Sequence, residues 1–183
     1  MRRLVNVVHR AGGYLLDADV DLHRFQRLVE EAADVSAAEK ATLLRNALTL
    51  WRGVPLLGVG GLWADRVRQT WQQRHLDATI AWAGAEIALG NASTVISQLT
   101  GLVDEHPFHE PLVAVLLRAH QATGNQTAAL DLYTTTRHRL VTELGIEPGT
   151  ELTEAHHDVL QGPTDRQPVR VGIVPPAADG FQD

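Results

Sequence analysis

Apolar residues along most of the chain recur at helical rather than strand spacing. Leu22, Phe25, Leu28, Val29 and Ala32 follow one another at three- and four-residue steps, as do Leu44, Ala47, Leu48 and Trp51. Each run can therefore present one apolar stripe on a helix. Acidic residues at Asp19–Asp21 favour the start of the first helix. Ser36, with Glu39 three positions on, makes a capping box ahead of the second, and Gly53 and Pro55 are stop signals behind it. The stretch from Trp63 to Leu89 predicts one long helix whose stripe shifts along its length. Trp63, Val67 and Trp71 lie on one face, and Leu76, Ile80, Ala83 and Ile87 on another, with Trp82 close by. Such a helix is expected to be gripped on two sides. Val95, Ile96, Leu99, Leu102 and Val103 predict a returning helix that His106-Pro107 ends. Leu112, Val113, Leu116, Leu117 and Ala119 predict a helix apolar nearly all round, hence central. Ala129, Tyr133, Leu140 and Leu144 mark the next return, which stops in Leu144–Gly149. A last helix from Thr150, carrying Leu152, His156, Val159 and Leu160, is expected to cap the stack.

Two of the predicted turns echo each other. Gly90-Asn91 and Gly124-Asn125 stand 34 residues apart, and superposing them aligns Ala88 with Ala122, Ile96 with Leu130 and Leu99 with Tyr133. A period of 34 with a glycine turn between helices is the mark of tetratricopeptide-like hairpins. Both Gly and Asn tolerate the left-handed backbone of a helix C-cap, and the paired alanines and the tyrosine are expected in the core. Two units are too few for a free solenoid, so the pair at 21–52 must supply a third layer. The predicted fold class is all-α: tetratricopeptide-like hairpins in one compact domain with a short β-like N-terminal piece. That piece, within residues 1–16, has β-favouring runs around Gly12-Gly13 and reads as a hairpin. Residues 17–161 form the helical domain. Residues 162–183, rich in proline and glycine, read as a linker or tail.

Composition narrows the chemistry. Cysteine is absent, which excludes disulfides and thiolate catalysis and fits a cytoplasmic setting. Sixteen Lys and Arg against 22 Asp and Glu give a net charge of −6, a poor balance for binding nucleic acid unaided. No apolar run approaches the roughly 18 residues of a membrane span. The glycines between Gly53 and Leu62 match no phosphate-loop spacing, so this stretch is expected to be an apolar loop packed across two helices. His106 and His109 flank Pro107 between Glu105 and Glu110, and His156-His157 point about 100° apart on a helix. Neither arrangement brings together the three or four ligands that zinc needs. Asp17, Asp19 and Asp21 alternate without the rest of a calcium loop. No catalytic, metal or cofactor residue is assigned from the sequence, and no enzyme activity is expected.

Three segments bear a family resemblance. Gly13-Tyr14-Leu15-Leu16 with Val20–Phe25, then Ala47–Leu56 around Trp51-Arg52-Gly53, and Leu140–Leu152 around Leu144-Gly145-Ile146-Glu147-Pro148 closely resemble the bacterial transcriptional activator domain of SARP-type regulators of antibiotic pathways. The resemblance covers about residues 12–161. It implies tetratricopeptide-like helices, activation of biosynthetic gene clusters, and protein partners, through self-association or contact with the transcription machinery. It also implies a winged helix-turn-helix ahead of the helical domain. Met1–Leu16 resembles only the end of that element, with Arg2 and Arg3 at the close of the recognition helix as the DNA-binding residues. DNA binding by this chain alone is therefore expected to be impaired. The other reading is a free-standing tetratricopeptide-like adaptor or ligand sensor that does not bind DNA.

Overall fold

The two echoed turns have the same geometry. In the computed structural model, which describes residues 6–10, 13–17 and 20–162, Gly90 and Gly124 adopt φ of 84° and 75°. The Gly90 N–H donates to the Ile87 carbonyl and the Asn91 N–H to Glu86, at 3.0 and 2.8 Å. The Gly124 N–H donates to Gln121 and the Asn125 N–H to His120, both at 2.9 Å. This is the paired bonding of a Schellman cap, which satisfies carbonyls that the helix end leaves without partners. Only the glycines are left-handed: Asn91 and Asn125 sit at φ of −93° and −88°.

These caps separate α3 (Leu62–Ala88) from α4 (Ala92–Glu105), and α5 (Glu110–Ala122) from α6 (Gln126–Arg139). Ahead of them lie α1 (Asp21–Glu31) and α2 (Ala37–Thr49), and behind them α7 (Thr150–Gln161). The Ser36 half of the capping box forms, its Oγ accepting the Glu39 N–H at 3.4 Å. Helix α2 ends at Thr49 on a right-handed Leu50 cap, so Gly53 begins the loop rather than capping the helix. Residues 6–10 and 13–17 pair as the expected hairpin. Strands β1 (Asn6–Arg10) and β2 (Gly13–Asp17) pair antiparallel with Val8 opposite Leu15 and Arg10 opposite Gly13. Gly13 is thus the first residue of the second strand.

Helix α5 is central, with Leu112 to Leu117 and Ala119 buried. It packs against α3, α4, α6 and α7, while α2 joins α1 to α3. The pair α1–α2 therefore supplies the extra layer on one side, and α7, through Leu152, Ala155 and Val159, covers α5 and α6 on the other. The fold is all-α apart from the hairpin. No described helix is long and apolar enough to cross a membrane.

Four expectations need correction. Ala88 and Ala122, the last residues of α3 and α5, are exposed. Tyr133 is only half-buried. Leu160 faces solvent, and the covering face of α7 uses Ala155 instead. Finally, α6 does not run unbroken to Leu144. A π turn, Leu140–Leu144, follows it and ends at Gly145, φ 70°. The wider turn keeps Leu140 inside and turns Val141 and Leu144 outward.

Candidate partner-binding surfaces

The polar centre of the domain is Glu86, a carboxylate only 1% exposed. It binds donors from three elements: Arg45 of α2, the Trp82 indole Nε1 at 3.1 Å one turn back, and Asn91 Nδ2 at 2.7 Å in the α3–α4 turn. Burial pushes the Glu86 carboxyl up. The hydrogen bonds from Asn91 and Arg45, the Arg45 charge and the indole outweigh it and hold the group below the usual carboxylate range. This group fixes α2 and the Gly90 turn against α3, a structural task.

At the end of α2, Trp51 packs against Phe25 of α1, ring centroids 6.1 Å apart, and stacks on His75 of α3 at 4.4 Å. Beside the stack is a cleft of about 200 Å³ reaching Gln72, Leu102, Glu105 and His106. Burial, then the nearby His106, lowers the His75 pKa. The histidines grouped in the sequence separate in space. His106 faces this cleft, while His109 Nδ1 accepts the Leu112 N–H at 3.3 Å and caps α5. Glu110 accepts the Gly149 N–H at 2.6 Å. His156 stacks flat on Tyr133 at 3.7 Å, its pKa lowered by burial and by His157, whose own Nε2 lies 2.6 Å from Gln161 Nε2. Among the described residues no three His, Asp or Glu side chains converge as a metal site.

A groove of about 410 Å³ runs between α1 and α3, floored by Phe25, Val29, Ala78 and Ala81. Arg74 lies at its edge, 4.9 Å above the Trp71 ring, with Nη1 donating to Gln26 Oε1 at 3.1 Å.

The Gly53–Gly61 loop is the largest departure from the sequence reading. It was expected to pack across two helices, yet Leu57 is 83% exposed, Leu62 beyond it 79% and Trp63 68%. Its backbone is nonetheless tied down, since Arg68 of α3 donates to the carbonyls of Leu56 at 3.0 Å and Val59 at 2.9 Å and pairs with Asp65. The clamp holds the loop through its main chain, which leaves the side chains outside. Arg2 and Arg3 lie outside the described residues.

Sequence reasoning missed Glu86 and Arg68. A carboxylate on a helix reads as solvated by default. The available signal was Trp82 one turn before Glu86, with Asn91 in the following turn.

The comparisons agree with this architecture. Residues 20–160 match the model of the bacterial transcriptional activator domain. The chain is 33% identical over 160 residues to the regulatory protein DnrI of Streptomyces peucetius, covering 82% of this chain and 58% of that one. It is 33% identical over 162 residues to the regulatory protein AfsR of Streptomyces griseus, covering 85% and 17% respectively. Among solved structures, Mycobacterium tuberculosis EmbR in complex with a low-affinity phosphopeptide superposes with a TM-score of 0.79. It is 32% identical and covers 87% of this chain and 44% of that one. The chain thus spans little more than half of DnrI and less of the other two. It belongs to the bacterial transcriptional activator domain family.

Proposed function

We propose that this chain is the effector part of a cytoplasmic transcription regulator of the SARP type, working through protein contacts rather than catalysis. The match of residues 20–160 to the activator-domain family carries this reading, supported by similarity to regulators such as DnrI and AfsR. In physical support, the helical hairpins offer a groove and an exposed loop, surfaces suited to peptides and protein faces. In this reading residues 17–161 are the effector domain and 162–183 a linker. The regulated genes serve secondary-metabolite biosynthesis, and the partners are a second copy or the transcription machinery. A net charge of −6 disfavours sequence-selective DNA binding by this chain alone. Arg2 and Arg3 would then act only alongside a complete winged helix, in this protein or a partner. The phosphopeptide held by EmbR is a precedent in a similar protein for peptide binding.

The test is a tether. The full chain, fused to an unrelated DNA-binding domain, raises transcription in a bacterial host from a reporter carrying that domain's operator. A folded, expressed fusion that leaves the reporter unchanged contradicts the reading. The adaptor alternative, favoured by the α1–α3 groove, predicts that silent outcome.

A further inference from the structure

Among the described residues, eleven large apolar side chains are exposed, and five of them fall between Val54 and Trp63. A cluster this dense at one place on a surface marks an interaction site more often than a scatter of single residues does. The segment is also held in shape. Leu56 is the one non-glycine described residue with a left-handed backbone, φ 55°, and Gly53, Gly58 and Gly61 lie at 119°, 83° and 106°. A β-carbon is disfavoured in that region, so the conformation depends on the hold of Arg68 on Leu56 and Val59. The loop is therefore ordered before any partner arrives, which lowers the entropy lost on binding.

The rim offers two arginines for pairing, alongside acidic neighbours. Arg52 and Arg66 are exposed, and neither is ion-paired among the described residues. Arg66 follows Trp63 by three residues and Leu62 by four on α3, so it shares their helix face. Arg52 stands two residues before Val54. The nearby Asp65 is engaged by Arg68. Asp21 lies in the groove on the α1 side of the loop and Glu105 in the cleft on the α4 side.

We infer that the Val54–Trp63 surface docks an acidic amphipathic segment of a partner protein, whose apolar side chains cover Leu57, Leu62 and Trp63 and whose carboxylates pair with Arg52 and Arg66. The inference rests on the effector reading and gives it a place and a chemistry. Two other occupants fit less well. A twofold interface between copies would set this surface, with its arginine rim, against its own image. An anionic membrane would gain only two arginine contacts, each worth little, while repelling a chain of charge −6.

The test uses a fluorescein-labelled helical peptide with Leu and Phe at i, i+3, i+4 and i+7 and flanking Glu, titrated with the full chain by anisotropy. Its Glu→Lys counterpart is the control. The acidic peptide is expected to bind about tenfold tighter than the basic one at low salt and to weaken as salt rises. Leu57→Ser or Trp63→Ala should weaken it about fivefold or more, with unchanged circular dichroism. Arg52→Glu combined with Arg66→Glu should reverse the preference between the peptides. Equal binding of the two peptides, no binding, or indifference to these substitutions overturns the proposal. So does Leu57-dependent dimerisation by sedimentation, or Leu57-dependent pelleting with phosphatidylglycerol vesicles. The tethered reporter is scored separately. If the Leu57→Ser fusion activates as well as the parent, the surface is refuted and the effector reading stands. If the parent fusion is silent while the peptide result holds, the effector reading fails and the surface stands.

Discussion

At the scale of single residues, Glu86 links sequence most tightly to stability. Replacing it with Leu strands the buried Trp82 indole donor and removes the acceptor of Asn91 and Arg45, and should cost at least about 2 kcal/mol in chemical denaturation. Arg45→Ala removes the cationic partner of a carboxylate that stays buried, and should cost about 1–3 kcal/mol. Unchanged stability in Glu86→Leu would contradict the assignment of Glu86 as the buried centre. The pH dependence follows from the signs of the shifts. The folded pKa of Glu86 is lowered, so its contribution is complete above the ordinary carboxylate range and is lost as pH falls through that range and below. Stability of Glu86→Gln should be flatter across that acid window than that of the parent. His75 is also lowered, by burial and then by His106. Its contribution is likewise present above the ordinary imidazole pKa and declines as pH falls from there toward the folded value. Thermal melts of His75→Phe should lose part of the mildly acidic slope. The Trp82 ring was legible as a core residue, being 1% exposed, and Trp82→Ala should cost about 3–5 kcal/mol. Its carboxylate partner was not, because hydrophobic periodicity carries no information about which polar residues converge.

At the scale of elements, the turns were the most legible feature. A glycine followed by asparagine between two apolar-periodic runs specifies a left-handed cap, and both sites have one. The space around Gly124 is open, so Gly124→Val tests the backbone alone and should destabilise by at least about 1 kcal/mol. Gly90→Val should behave alike, and an unchanged melting temperature in either would contradict the shared geometry. The resemblance-bearing segments acquire physical roles. Trp51 wedges between Phe25 and His75. In Leu144–Gly149, Glu147 takes Arg137 in two 2.9 Å bonds. A β-carbon on Gly149 would stand 3.3 Å from Glu110 Oε2. Two elements escaped the sequence reading. The π turn after Arg139 shifts the helical phase by one residue, which a pattern of period 3.6 absorbs as an ordinary irregularity. The Gly53–Gly61 loop looked like core because it is apolar. Its exposure depends on Arg68 reaching back by 9 and 12 residues to its carbonyls, a contact that no local pattern announces.

At the scale of the whole molecule, the layered order of the helices follows from facts present in the sequence. These are an all-round apolar α5, stripes on its neighbours, and two 34-spaced turns that force adjacent helices to return antiparallel. Packing around α5 and the extra layer from α1 and α2 match that reading. Function was legible chiefly through the family resemblance, since the sequence offers no set of reactive groups with diagnostic spacing. The reading that unites these scales is an effector domain whose work is to contact the transcription apparatus. The measurement that tests it most directly is run-off transcription with purified bacterial RNA polymerase. The template carries the operator of an unrelated DNA-binding domain upstream of a weak promoter, and the full chain is supplied as a fusion to that domain. The account predicts a several-fold rise in transcript over the DNA-binding domain alone. Transcript that stays at the control level, with the fusion folded and bound to its operator, would contradict it.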